Sequence, residues 1–205
     1  MRKYKIFTNF DKEERWLEDL ASQGYRLVKK TSFGYEFERT APENTSIKMD
    51  FRIFRKQEDF EDYRALFEDS GWEHLAGTKG SGYQYFKQKG VGGRKEIFSD
   101  VDSKAARYKR LSEMWGGLAC SFAPIFAVLV STDAIDPTFF VDPKSLYLTP
   151  GLWEMSAEDF WGAFLFETPF ALARGLAWMS LPVMVSVYLY FAWKANRRYL
   201  DALKE

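Results

Sequence analysis

One cysteine and one histidine among 205 residues leave little material for several common chemistries. Cys120 alone excludes an intrachain disulfide framework and a multi-cysteine metal site. It stands in an apolar run and reads as a small buried hydrophobe. His74 has no serine or cysteine nucleophile motif around it and reads as structural. Neither sign of charge is in excess: 29 Lys and Arg face 29 Asp and Glu, which argues against bulk nucleic-acid binding. No apolar leader opens the chain, because Met1-Arg2-Lys3-Tyr4-Lys5 runs into an alternating segment. Gly90-Val91-Gly92-Gly93 lacks the Lys-Ser/Thr ending of a phosphate loop and reads as a flexible linker. With no catalytic constellation, cofactor motif or metal set, the expectation is a protein that is not an enzyme.

Charge is missing altogether from two stretches, 114–132 and 175–193. At about 1.5 Å per residue each makes a helix of roughly the hydrocarbon thickness, about 30 Å. Pro124 and Pro182, costly in an exposed helix, are tolerated in lipid-spanning ones. Trp115, Trp178 and Trp193 sit near the run ends, where interfacial anchors belong. Lys104, Arg107, Lys109 and Arg110 precede the first run, and Lys194, Arg197 and Arg198 follow the second. The intervening 133–174 has only Lys144 and Arg174 as basic residues, so the positive-inside rule places both termini in the cytoplasm. The four basic residues before the first run and Arg197 and Arg198 then read as membrane anchors beside Trp115 and Trp193. Within the outer loop, Asp136-Pro137 and Asp142-Pro143 mark turns. Residues 160–173 are apolar and aromatic but interrupted at Glu167-Thr168-Pro169; they read as an interfacial segment, with a third span as the alternative. Gly116 and Gly117, with Ala119 and Ser121, offer close helix packing and make a homodimer plausible.

Residues 4–39 and 51–87 repeat one pattern. Lys5-Ile6-Phe7 matches Arg52-Ile53-Phe54, Trp16 matches Tyr63, Leu20 matches Phe67, and Gly24-Tyr25 matches Gly71-Trp72, all at an offset of 47. With one further residue inserted, Tyr35-Glu36-Phe37 matches Tyr83-Gln84-Tyr85. Asp11 and Glu14 are spaced like a capping box, Trp16, Leu17 and Leu20 share a helix face, and Gly24 supplies the stop. The acidic pairs Glu13/Glu14, Glu58/Asp59, Glu61/Asp62 and Glu68/Asp69 read as solvated helix faces. The fold expected is α+β: a duplicated β-α-β-β unit forming a largely antiparallel sheet of about six strands with two helices on one face, followed by a two-helix transmembrane hairpin. The boundaries expected are 1–89 for the duplicated domain, 90–112 for linker and basic juxtamembrane helix, and 113–205 for the membrane part. If the helices cover Tyr4, Ile6, Tyr35, Phe37, Phe51 and Ile53, the other sheet face shows Lys5, Phe7, Arg26, Glu36, Glu38, Arg52, Phe54 and Phe86. That mixture reads as a ligand or partner surface, with an ordinary half-exposed sheet face as the plain alternative.

Lys12-Glu13-Glu14-Arg15-Trp16-Leu17, Gln23-Gly24-Tyr25-Arg26-Leu27, Tyr63 to Gly71-Trp72, Tyr83-Gln84-Tyr85-Phe86 and Ile97-Phe98-Ser99-Asp100 through Tyr108-Lys109 resemble the bacterial domain of unknown function 2812 family over residues 1–110. The resemblance implies a cytoplasmic domain ahead of membrane helices, often encoded beside PadR-like transcription regulators. It implies no activity and no catalytic residues. The functional expectation is a membrane-anchored regulatory or sensory module whose cytoplasmic domain binds a protein partner or small ligand. An accessory subunit of a larger membrane complex, such as an exporter, is the alternative.

Overall fold

The computed structural model describes residues 1–31, 33–90 and 96–204; most of the glycine linker therefore lies outside the described residues. The chain forms two compact units, 1–112 with 194–205, and 113–193.

In the first unit, β1 (Arg2–Lys3), α1 (Phe10–Ser22), β2 (Tyr25–Lys30) and β3 (Tyr35–Arg39) make one copy of the repeat. β4 (Ile47–Phe51), α2 (Gln57–Asp69), β5 (Trp72–Ala76) and β6 (Tyr83–Gln88) make the other. The strands pair as two antiparallel three-stranded sheets of identical topology, β1-β3-β2 and β4-β6-β5, in place of the expected single sheet of about six strands. The two sheets approach at β2 and β5, where Arg26 meets the repeat-equivalent Glu73 at 3.3 Å.

The duplication reaches the ladders. Lys3 pairs with Tyr35, and 47 residues on Asp50 pairs with Gln84. Leu27 pairs with Phe37, and His74 with Phe86. β3 and β6 are thus related by an offset of 49, with two residues inserted between the copies, not one. Side chains alternate across a strand, so this one-residue difference reverses which face each residue takes. Phe86, expected on the open face, is buried against α2, stacked on Phe67 at 4.3 Å. Both copies carry a β-bulge at the same place, after Leu27 and after His74.

Each helix ends on a glycine in the left-handed region, Gly24 at φ 83° and Gly71 at φ 87°. Asn9, not Asp11, caps α1, its side chain accepting the Lys12 amide at 3.0 Å. α1 packs on β2 and on β4, whereas α2 packs on β5. Trp16 meets Phe37 edge-on at 5.8 Å, and its counterpart Tyr63 meets Phe86 at 5.7 Å.

Two helices are long and apolar enough to cross a membrane, α3 (Val101–Ser131) and α4 (Ala157–Ala202). In the second unit they run antiparallel, with Trp115 stacked on Phe191 at 5.3 Å and close to Tyr188. Asp136 and Asp142 cap the turns that begin at Pro137 and Pro143, as the Asp-Pro pairs predict. Residues 160–173 correct the expectation of a separate segment: they are the first part of the 46-residue α4, which passes through Pro169. Glu167 does not break the helix, because its carboxylate turns sideways to accept the Leu148 and Thr149 amides of the connecting loop. Cys120 is exposed on α3 and not buried.

Candidate functional site

The acidic residues of α1 are the unexpected feature. Phe10, Glu13, Glu14, Leu17, Leu20 and Ala21 form one buried helical stripe, with two carboxylates in positions where periodicity calls for apolar side chains. A buried carboxylate needs partners. Glu13 Oε1 accepts from Tyr35 Oη at 2.6 Å, Tyr85 Oη at 2.7 Å and Lys30 Nζ at 3.0 Å. Tyr35 and Tyr85 come from the two different copies, so this cluster ties both sheets to α1. The bulge in β2 turns Lys30 toward α1, and its ammonium also lies 4.5 Å from the Tyr83 ring.

One turn of chemistry further, Glu14 accepts the Met49 amide at 3.1 Å and the Arg107 guanidinium at 2.5 Å, with Lys48 at 3.5 Å. Arg107 also donates to Asp11 at 2.6 Å and to the Met49 carbonyl at 3.1 Å, and only 1% of its surface is exposed. Its guanidinium lies against the Phe10, Phe98 and Tyr108 rings. Three residues on, Arg110 donates to Asp50 at 2.5 Å and to the Phe51 carbonyl at 2.6 Å. The other Asp50 oxygen takes the Tyr63 hydroxyl of α2 at 2.9 Å. Tyr108 completes the docked surface, its hydroxyl accepting the Phe10 amide at 3.0 Å, one of the orphan donors at the start of α1. The first turns of α3 are therefore bolted to both copies of the repeat.

The electrostatics follow from burial. Burial raises the Glu14 carboxyl above its ordinary value, and the Arg107 and Lys48 cations only partly oppose this. Arg107 is held above its ordinary value because Glu14 and Asp11 outweigh its own desolvation. Burial, then Glu13, drives the Tyr35 and Tyr85 hydroxyls well above the usual range, and Tyr83 up to about 12. Such hydroxyls stay donors. Burial lowers His74, whose Nε2 meets Gln84 Oε1 at 3.0 Å.

The surface expected from sequence is not assembled. Arg26 and Glu36 lie on the first sheet, paired with Glu38 at 3.6 Å and Arg2 at 2.8 Å. Phe7 packs on Trp16 and Phe54 on Tyr63, repeat-equivalent contacts at 5.2 and 4.8 Å. Lys5 covers the first pair and Arg52 the second, so Arg52 alone of the second-copy trio is solvent-facing. Tyr4, Ile6 and Ile53, expected under the helices, are exposed. Of the expected membrane anchors, Arg107 is consumed inside the first unit and Arg110 is half-buried in it, because β4 and α1 present acids and free carbonyls to them. Lys104 lies 3.7 Å from Asp11, and Lys109 is exposed. Trp115 packs on α4, while Trp193, Arg197 and Arg198 lie in its last turns. Among the described residues no group of three or more His, Cys, Asp or Glu is placed to hold a metal ion.

The family of proteins of unknown function DUF2812 matches residues 9–120. The chain belongs to that family. The DUF2812 match runs from the cap of α1 through Arg107 and Arg110 into the first charge-free run, so the docked segment of α3 falls inside the family region. No curated protein and no solved structure matches the chain. Sequence reasoning missed the Arg107 site, although one signal was present: Glu13 and Glu14 occupy the apolar stripe of α1 and require cations from elsewhere in the chain.

Proposed function

We propose that this DUF2812 protein is a membrane-anchored regulatory module in which the duplicated domain binds a protein partner or small ligand and passes its state to the first membrane helix. The observation that carries the reading is the burial of Arg107, a residue of α3, between Glu14 and Asp11 of α1. Any ligand that moves α1 against β4 changes the partners of Arg107 and so biases α3, which continues into the apolar run. α3 is one helix from Val101 to Ser131, so it is the element through which a change would pass. No intramembrane ion pathway is required of it: the runs 114–132 and 175–193 are charge-free, and the module need only anchor and transmit.

The test is affinity purification of the full-length protein from native membranes in mild detergent, with mass spectrometry, on wild type and Arg107→Met side by side. A partner retained by wild type and lost or altered with Arg107→Met supports coupling through this site. A partner set indifferent to Arg107 sinks it.

The second reading, an accessory subunit of a larger membrane complex, draws on the second unit. An apolar groove of about 620 Å³ runs along α4, lined by Met179, Pro182, Val183, Val187 and Phe140, and open space surrounds Gly116 and Gly117 on α3. Both suit a helix from another subunit. Co-purifying transporter subunits that are lost with Gly117→Leu would favour this reading.

A further inference from the structure

Three large apolar side chains stand out at one end of the first sheet: Tyr4, Ile6 and Phe33 are 75%, 77% and 74% exposed. Tyr4 lies against the turn that carries Phe33, and Ile6 follows two residues on. Lys3 pairs with Tyr35 across β1 and β3, and a Cβ placed on Gly34 would meet the Lys3 carbonyl and Tyr4. Residues 3 and 4 therefore run beside 34 and 35. Solvated single hydrophobes need no explanation, but a cluster this bare does.

The same end is basic. Arg2 is matched by Glu36 at 2.8 Å and Lys30 by Glu13. Lys3 and Lys5 form no ion pair among the described residues; Lys5 lies over the Phe7 and Trp16 rings at 4.7 and 5.1 Å, and Lys3 over Tyr25 at 5.7 Å. Rings and aliphatic side chains flanked by uncompensated lysines fit one environment well: the headgroup region of an anionic bilayer, which accepts the apolar groups and attracts the cations.

The second copy keeps only part of this surface: Lys5 and Ile6 correspond to the exposed Arg52 and Ile53, but the remaining positions differ. At the offset of 47, Tyr4 corresponds to Phe51, which is buried beneath Gly82. Lys3 corresponds to Asp50, an acid already held by Arg110. The duplication thus supplies one such surface and not two.

We propose that the tip formed by Tyr4, Ile6 and Phe33, with Lys3 and Lys5, docks on an anionic lipid surface. The inference rests on the membrane-anchored reading, since a weak lipid contact gains its occupancy from a tether that keeps the bilayer close. Docked and undocked domains then differ in orientation, and the lipid composition of the leaflet becomes an input.

The test uses full-length protein with Cys120→Ala, labelled through Ile6→Cys or Phe33→Cys with an environment-sensitive fluorophore. Leu66→Cys is the control, an exposed apolar position on α2. Each is reconstituted into phosphatidylcholine vesicles with or without phosphatidylserine, some lipids carrying a spin-label quencher. Labels at 6 and 33 should be quenched at least about twofold more than the label at 66 in the anionic vesicles. The excess should vanish in about 0.5 M salt and in Lys3→Gln/Lys5→Gln protein. Equal quenching at all three positions overturns the proposal. So does a tip that stays wet in both vesicle types but is shielded in native membranes, which would assign the surface to a protein. Flotation after a carbonate wash separates the two ideas: protein stripped by carbonate refutes the anchoring itself, whereas protein that floats with an unquenched tip refutes only the docking.

Discussion

Replacing Arg107 by methionine keeps an unbranched apolar stem in place while removing the guanidinium and its charge. The variant leaves Glu14 almost fully buried with the Met49 amide and a distant Lys48 ammonium as its partners, and Asp11 without its 2.6 Å contact. Removing one member of a buried ion pair costs about 3–5 kcal/mol, because the remaining charge stays desolvated. Lys48 at 3.5 Å offsets part of this, so the low end of that range is expected. For a unit of this size about 3 kcal/mol lowers the melting temperature by more than about 10 °C. The Glu14→Gln partner makes the argument sharp. Arg107→Met/Glu14→Gln removes both charges together, and should recover at least about 1 kcal/mol relative to the sum of the single changes. The assay is thermal unfolding of the detergent-solubilised protein, read from the tryptophans of the first unit, with amide exchange in 101–112 as the local measure. A loss below about 1 kcal/mol for Arg107→Met, or strict additivity in the cycle, would refute the claim that the helix is bolted by this pair.

Gly24 and Gly71 end equivalent helices at positive φ, so alanine at either is strained by about 1–2 kcal/mol. A Cβ at Gly24 would also stand 2.7 Å from the Thr40 carbonyl, while at Gly71 it meets nothing within 4 Å. Gly24→Ala should therefore lower the unfolding midpoint clearly more than Gly71→Ala, and equal losses would show that the clash relaxes. Burial holds the His74 imidazole below 6.5. The unfolded chain takes up that proton first, so His74 contributes stability above about pH 6.5 that is lost as pH falls toward the folded value. Wild type should lose more of its melting temperature between pH 7 and 5.5 than His74→Gln does, and parallel losses in the two proteins would discount His74 as the source.

The repeat was legible because its markers are distinctive residues at fixed spacing: Gly24 and Gly71, Trp16 and Tyr63, Phe7 and Phe54 all return in equivalent structural roles. The register of the last strand was not legible. Tyr83-Gln84-Tyr85-Phe86 offers an aromatic at nearly every step, and either alternation gives an apolar face. Only the helices decide: α2 covers Phe86, and α1 takes Tyr85 for Glu13. The charge-free runs announced two apolar helices, but composition alone did not reveal that α4 continues through Glu167 and Pro169, because Glu167 finds its partners in the connecting loop. Arg107 misled for a related reason. Beside Lys104, Lys109 and Arg110 it looks like one more cation before an apolar run, and nothing local distinguishes it from the exposed Lys109. Its partners lie more than 90 residues away.

The two copies have diverged at the positions that hold α1 to the rest of the first unit. At the position of Glu13 the second copy has Phe60, which packs on Phe54 and His74, and at the position of Glu14 it has the exposed Glu61. α2 is therefore an ordinary amphipathic helix on one sheet. α1 carries the two buried carboxylates and touches both sheets, so it is the piece whose displacement would be felt most widely. Tyr35 and Tyr85 hold it to the two copies through Glu13, while Arg107 holds α3 to it through Glu14, one residue on. Neighbouring positions 13 and 14 thus join the inside of the domain to the helix that leaves it. A ligand that separates the two sheets must strain the Glu13 contacts, and α1 cannot move to relieve them without disturbing Arg107.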